Sequence, residues 1–335
     1  MSKVKISIVG LGGITQVVHM PILSKMEDVE IAAVCDSDFS KCRNIAKKYN
    51  VEKYYKDVDK MLEENPEVSA VIIATQTNFH KDVSLKCLQA EKHILVEKPI
   101  ARNYKEAKII VEAAKKYKKK IMVAMNNRFR NDMMLQRTFT KAKELGEIFY
   151  IKAGWIKPQS SNQKWMLEKE KSGGGVFLDN GIAMLDLALW LLDFPEPKSV
   201  TASNYSHYTK SVEDSSIAMI KFKNNTTLTI EVSWSLLREG ELFYCNVYGK
   251  EGSSSINPIK IYKRMDGELY NITPKKIAAP SNVFKKSYEY ELRHFIGAVS
   301  GKHNIISTGE DALKAIQIVD AVYKSARSGK EVIIK

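Results

Sequence analysis

Val4-Lys5-Ile6-Ser7-Ile8-Val9 runs straight into Gly10-Leu11-Gly12-Gly13-Ile14-Thr15, an apolar strand followed by a glycine-rich turn that opens a helix. That order is the context a dinucleotide fingerprint requires. Gly10 permits the tight turn, Gly12 lets the backbone approach a pyrophosphate, Gly13 and Ile14 start the helix, and the phosphates sit on its positive end. The third fingerprint position is Thr15, larger than the usual Gly or Ala, which predicts slightly looser helix-to-strand packing. About 20 residues on, Asp36 ends the next apolar run, where a carboxylate can hold both hydroxyls of a ribose. The same carboxylate repels a 2′-phosphate, so NAD is favoured over NADP. Ser37, Lys41 and Arg43 follow closely enough to blunt that preference and leave room for NADP.

Working outward, the first 124 residues alternate short β-branched runs with helical spacing. Val4 to Val9, Ile31 to Cys35, Ala70 to Ala74, His93 to Val96 and Ile121 to Ala124 are too uniformly apolar to have one wet face, which predicts a parallel sheet covered on both sides. Phe39 to Tyr49, Phe79 to Ala90 and Lys105 to Lys116 supply the covering helices. The rhythm then changes. A helix around Met133 to Leu145 ends at Gly146, an extended run spans Ile148 to Trp155, and strands at Ser215 to Phe222, Thr226 to Trp234 and Phe243 to Gly249 follow through short turns such as Lys223-Asn224-Asn225. Consecutive strands with tight connections indicate an antiparallel sheet. Helices at about Tyr288 to Val299 and Glu310 to Ser328 close an α+β second domain, and the expected division is 1–124 and 125–335.

Composition narrows the class. With 335 residues and 44% apolar content the chain can bury a large core. The net charge of +13 could point to nucleic acid, but the excess is spread, 22 basic against 16 acidic residues up to position 125 and 30 against 23 beyond it. The densest run, Lys115-Lys116-Tyr117-Lys118-Lys119-Lys120, closes a helix, where cations offset the partial charge of the last carbonyls. No nucleic-acid partner is expected. Cys35, Cys42, Cys87 and Cys245 fall in no metal-ligand spacing and read as reduced thiols. No apolar stretch approaches the roughly 20 residues of a bilayer span, and Met1 to Gly10 lacks a signal-peptide pattern, so a cytoplasmic protein without a membrane partner is expected.

Further along, Gly173-Gly174-Gly175-Val176-Phe177-Leu178-Asp179-Asn180-Gly181-Ile182-Ala183-Met184-Leu185-Asp186 resembles the G-G-G-x-x-x-D-x-G-x-H-x-x-D signature of the glucose-fructose oxidoreductase, inositol dehydrogenase and MocA (Gfo/Idh/MocA) family, with Ala183 in place of its usual histidine. Val96-Glu97-Lys98-Pro99 is similar to that family's E-K-P motif. Leu145-Gly146-Glu147-Ile148, Tyr248-Gly249-Lys250-Glu251-Gly252 and Tyr288 to Phe295 extend the likeness over nearly the whole chain. The resemblance implies an N-terminal Rossmann domain, a C-terminal α+β domain with a large open, mainly antiparallel sheet, and NAD(P)-dependent oxidation or reduction of a sugar, cyclitol or related polyol. It also implies assembly as a homodimer or homotetramer through that sheet.

By the same resemblance Lys98 lies beside the nicotinamide. A lysine at a strand's carboxyl edge, in the crevice where such sheets bind ligands, can stabilise a developing alkoxide and pass a proton. Thr75, Gln76, Asn78, His80, Glu97 and Asn127 fall where the cofactor is bound; Arg128, Trp165, Asn180 and Tyr288 match pocket positions, and Asp179 can hold a substrate hydroxyl and orient Lys98. Asp179 and Ala183 are four apart and share one face if a helix starts there. Ala183 can do no acid or base work. Asp186 reads as structural among Leu185, Leu187, Leu189 and Trp190, and His19 and His93 read as packing residues. Three functions fit: an oxidoreductase passing its proton through Lys98, water or a replacement group; an NAD-dependent glycosidase or epimerase without net redox; and a catalytically inactive nucleotide sensor. Lys98 and Asp179 favour catalysis, and the missing histidine narrows the margin.

Overall fold

β1 (Val4–Val9) is the hub of a six-stranded, wholly parallel sheet with β2 (Val29–Cys35), β3 (Lys53–Tyr55), β4 (Ala70–Ile73), β5 (His93–Glu97) and β6 (Ile121–Ala124), in the order β3-β2-β1-β4-β5-β6. The computed structural model describes residues 3–159, 163–275 and 282–334. Strands β4 and β6 are buried at every residue, as the unbroken apolar runs require. Helices Phe39–Tyr49, Thr77–Gln89 and Tyr104–Lys116 cover the sheet, the first and third capped by Asp38 and Asn103 side chains that accept from Lys41 and Glu106 N–H. The strand order reverses between β1 and β4, the switch point at which such sheets bind nucleotides.

The second sheet has nine strands: β7 (Ile148–Ile156), β8 (Pro197–Tyr205), β9 (Ser215–Phe222), β10 (Thr227–Ser233), β11 (Leu242–Gly249), β12 (Gly252–Ser255), β13 (Lys260–Met265), β14 (Glu268–Asn271) and β15 (Val332–Ile333). They are ordered β14-β13-β12-β11-β7-β10-β9-β8-β15, antiparallel except for the central β7–β10 pair. Residues alternate: Ala218, Ile220 and Phe222 face inward, while Ile217 points out and is 54% exposed. The helix Ile182–Leu191 is buried along its whole length. The longer run Lys169–Leu191 does meet the length and hydropathy of a membrane span, contrary to the sequence expectation; its apolar window is 94% buried, so it serves as a core element.

The chain divides into two compact units, Met1–Asn126 with Phe284–Leu313, and Asn127–Val283 with Lys314–Lys335. The helix Val283–Val299, placed by sequence in the second domain, therefore belongs almost entirely with the first. Hydrogen bonds across the edge of β6 explain it: Val123 N–H donates to Ser307 O (3.0 Å), Ser307 Oγ donates to Val123 O (2.6 Å), and Asn126 Nδ2 donates to Ser287 Oγ (2.9 Å). Such pairing joins residues more than 150 positions apart, and local patterning does not register it.

Candidate active site

In the first unit the fingerprint is closed from three sides. Gly10 has φ +92°, and a Cβ there would lie 2.5 Å from the Ala74 backbone, so only glycine fits. Thr15 is fully buried, and its Oγ1 donates to Gly10 O at 2.7 Å, while Gln16 Nε2 donates to Leu11 O at 2.7 Å. The Thr15 hydroxyl thus ties the turn shut, and Thr15–His19 winds as a wider π-helical turn. Asp36 fixes the loop from β2, accepting from Leu11 N–H (2.7 Å) and Asp38 N–H (2.9 Å) and pairing with Lys41 Nζ at 3.2 Å.

What remains open suits a dinucleotide. A Cβ at Gly12 or Gly13 would meet nothing within 4 Å, so their backbone is bare toward a ligand, and half-buried Ile14 follows at the helix start. Asn78 Oδ1 is a buried acceptor with no hydrogen-bond partner among the described residues. Thr75 and Gln76 sit half-buried at the carboxyl end of β4. These residues fit NAD: glycine backbone for the pyrophosphate, Asp36 for the ribose, and polar groups after β4 for the remaining end.

His80, near the start of the helix that follows β4, supports the loop there. It is buried, with Nδ1 2.9 Å from Pro99 O and Nε2 3.1 Å from Thr75 O, so both nitrogens are occupied and the ring staples the loop after β4 to the loop after β5. Burial pushes its pKa below the usual range. Glu97 is held in turn by His19, whose Nε2 is 2.8 Å from Glu97 Oε1, while Glu97 Oε2 accepts from Lys98 N–H at 3.3 Å. His19 is therefore more than packing; it links the end of the fingerprint helix to the residue before Lys98. Tyr288 stands edge-on to His19, with ring centroids 6.2 Å apart. Lys98 itself is half-buried at the carboxyl end of β5.

In the second unit, Asn127 and Arg128 lie on the short 3₁₀ turn Asn126–Phe129. Arg128 is no substrate contact. It is fully buried and makes a bidentate pair with Asp186, Nε to Oδ2 at 2.8 Å and Nη2 to Oδ1 at 2.6 Å. Trp165 is half-buried, its Nε1 donating to Gln163 Oε1. Asp179 and Asn180 occupy the π-helical turn Phe177–Gly181, which leads into the buried helix carrying Ala183 and Asp186. Asp179 is half-exposed, whereas Asn180 is 1% exposed and neither its Oδ1 nor its Nδ2 has a hydrogen-bond partner among the described residues. Leaving both ends of a buried amide unmatched costs on the order of 1–3 kcal/mol each.

Residues 4–125 match the oxidoreductase family described by an NAD-binding Rossmann fold, and residues 140–334 match its C-terminal alpha/beta domain. The chain belongs to this family. It is similar to the D-glucoside 3-dehydrogenase of Escherichia coli (strain K12), 30% identical with 99% of this chain and 97% of that protein covered. It is also similar to the myo-inositol 2-dehydrogenase of Thermotoga maritima, 25% identical with 98% of each covered. Among solved structures, a levoglucosan dehydrogenase in complex with NADH superposes with a TM-score of 0.88 over 100% of both chains at 19% identity, a likeness of fold. The protein is an NAD-dependent oxidoreductase of the CH–OH class.

Proposed function

We propose that this chain oxidises a secondary alcohol of a sugar or cyclitol to the ketone, or runs the reverse reaction, with Lys98 and Asp179 as its catalytic residues. What supports the reading is that each unit carries groups this chemistry needs: Lys98 just after β5 in the unit that holds the glycine turn, and the Asn180 amide next to Asp179 in the other. NAD, when bound, supplies the hydride acceptor. Lys98 takes the hydroxyl proton or stabilises the alkoxide as charge develops. Asp179 accepts from a substrate hydroxyl, and Asn180, a donor and an acceptor in one group, holds a neighbouring hydroxyl; a vicinal diol is what such a pair fits. Full-length likeness to a glucoside dehydrogenase and to an inositol dehydrogenase supports that substrate class.

The same reading places the protein in the cytoplasm, where its four free cysteines stay reduced, as a homodimer or homotetramer joined through the outer face of the nine-stranded sheet around Ile217. Purified protein with NAD and NADP against glucosides, free sugars and inositols tests the activity by the absorbance of reduced nicotinamide. Steady reduction by at least one polyol is expected. NAD binding by calorimetry without reduction by any of them favours the sensor reading, and substrate turnover with no net reduction favours the glycosidase or epimerase. Light scattering at micromolar protein tests the assembly, and a monomer counts against it.

A further inference from the structure

The Gly173-Gly174-Gly175 turn carries Asp179, and within the second unit it is gripped by two side chains from far along the chain. Glu213, 7% exposed, lies just before β9. Three successive N–H groups donate to it: Gly175 to the carboxylate (3.1 Å to Oε2, 3.2 Å to Oε1), Val176 to the Glu213 backbone carbonyl (3.0 Å), and Phe177 to Oε1 (2.9 Å). Tyr323, on the helix Gly309–Ser328, donates its hydroxyl to the same Oε1 at 2.8 Å. The first N–H groups of a helix have no partner within it, and an anion from elsewhere satisfies them and the positive helix end together.

The glycines exist for this grip. A Cβ at Gly175 would lie 1.9 Å from Glu213 O, and one at Gly174 would lie 2.0 Å from the Tyr323 hydroxyl; Gly173, at φ +90°, ends the helical turn before them. The grip reaches the substrate side through one peptide. Gly175 donates its N–H to Glu213 and accepts through its carbonyl from Asp179 N–H at 3.1 Å. The Gly175 peptide thus links Glu213 to the turn that carries Asp179 and Asn180.

We propose that Glu213, braced by Tyr323, is a positioning residue that sets the place of Asp179 and Asn180 for the reacting polyol. The proposal rests on the oxidoreductase reading given above. Its carboxylate is acceptor-only, matched to three donors, and an amide at that position sets an N–H₂ against N–H groups.

Glu213→Gln keeps the shape and is the first variant. Its NAD dissociation constant stays within about twofold, because the nucleotide turn belongs to the other unit, while kcat/KM for the polyol falls at least tenfold. Tyr323→Phe, which only removes one donor, falls about threefold and serves if Glu213→Gln fails to fold. In a double-mutant cycle with Asp179→Asn the losses are non-additive, since a displaced Asp179 has little left to lose. Native kcat/KM in the folded variants, or losses that simply multiply, overturns the proposal. A readout free of activity runs beside it: hydrogen exchange of residues 177–183 speeds at least tenfold in Glu213→Gln with the six-stranded sheet unchanged. If the native protein turns over no polyol, the functional reading fails by itself, and unchanged exchange in this segment still overturns the grip.

Discussion

Asp186→Asn tests how the second unit is held around its substrate-side turn. The pair it breaks is bidentate, with side-chain exposures of 0% for Arg128 and 2% for Asp186, and the guanidinium also lies 5.2 Å from the Phe194 ring centroid and 5.9 Å from that of Trp190. A buried pair adds little over a well-packed apolar pair, yet removing one charge strands the other, at about 3–5 kcal/mol. Asn keeps the shape and one acceptor, which puts the loss near the lower end, about 3 kcal/mol. With a urea slope of about 3 kcal/mol/M, the midpoint falls by ~1 M. All four tryptophans, Trp155, Trp165, Trp190 and Trp234, lie in this unit, so tryptophan fluorescence follows it selectively in a chain whose two units need not unfold together. Arg128→Met with Asp186→Leu should be within ~1 kcal/mol of the native protein, although each single change costs several times that. A midpoint shift under ~0.3 M for Asp186→Asn, or a double variant as unstable as the two singles combined, refutes the argument.

NAD should bind at least about tenfold more tightly than NADP, or roughly 1.4 kcal/mol; Asp36→Ala should narrow that gap and Lys41→Ala, which removes the cation 3.2 Å from Asp36, should widen it, and equal NADP binding by the native protein in calorimetry overturns the assignment. Lys98→Met should hold NAD within a few-fold and reduce turnover by roughly 10² to 10⁴; unchanged turnover excludes the role. Ala183→His should preserve folding and raise kcat on at least one polyol, by setting an imidazole near Asp179; a higher KM without a gain in kcat shows instead that Ala183 makes room for a bulkier substrate. The His294 pKa is lowered from 6.5 to about 4 by burial and by the His303 ring stacked 4.3 Å away. The unfolded chain therefore binds the extra proton first, and stability falls as pH drops from 6.5 toward 4, by at most about 3 kcal/mol and nearer 1 given its partial exposure. His294→Gln should flatten that slope in urea melts followed by circular dichroism; an unchanged slope assigns it to other groups.

What could be read in advance was whatever is encoded by neighbours. β1 and the glycine turn are one continuous stretch, and Asp36 follows at a characteristic spacing, so strand, turn and the carboxylate that fixes the turn were all visible. The uniformly apolar runs of β4 and β6 declare burial on both faces. By contrast β3 is three residues on a sheet edge, and β12 to β14 are short and largely polar, with β14 exposed throughout, so their strand character is supplied by the partner they pair with rather than by their own alternation. The same division runs through the site. Lys98 and Asp179 stand in recognisable local frames, whereas the groups that hold them are paired over long separations: His19 with Glu97 across 78 positions, Arg128 with Asp186 across 58, and Glu213 with Tyr323 across 110. A residue type announces what a side chain can do, but a lone Glu between Val212 and Asp214 looks like the polar end of any strand. One clue did point to it. Three consecutive glycines are more than a turn needs, and two of them, Gly174 and Gly175, are cleared for the close approach of Tyr323 and Glu213. Glycine in excess of what the backbone requires is thus a sequence sign that something else must come near, and here what comes near is an acceptor, Glu213, that takes the N–H groups at the start of the turn carrying Asp179 and Asn180.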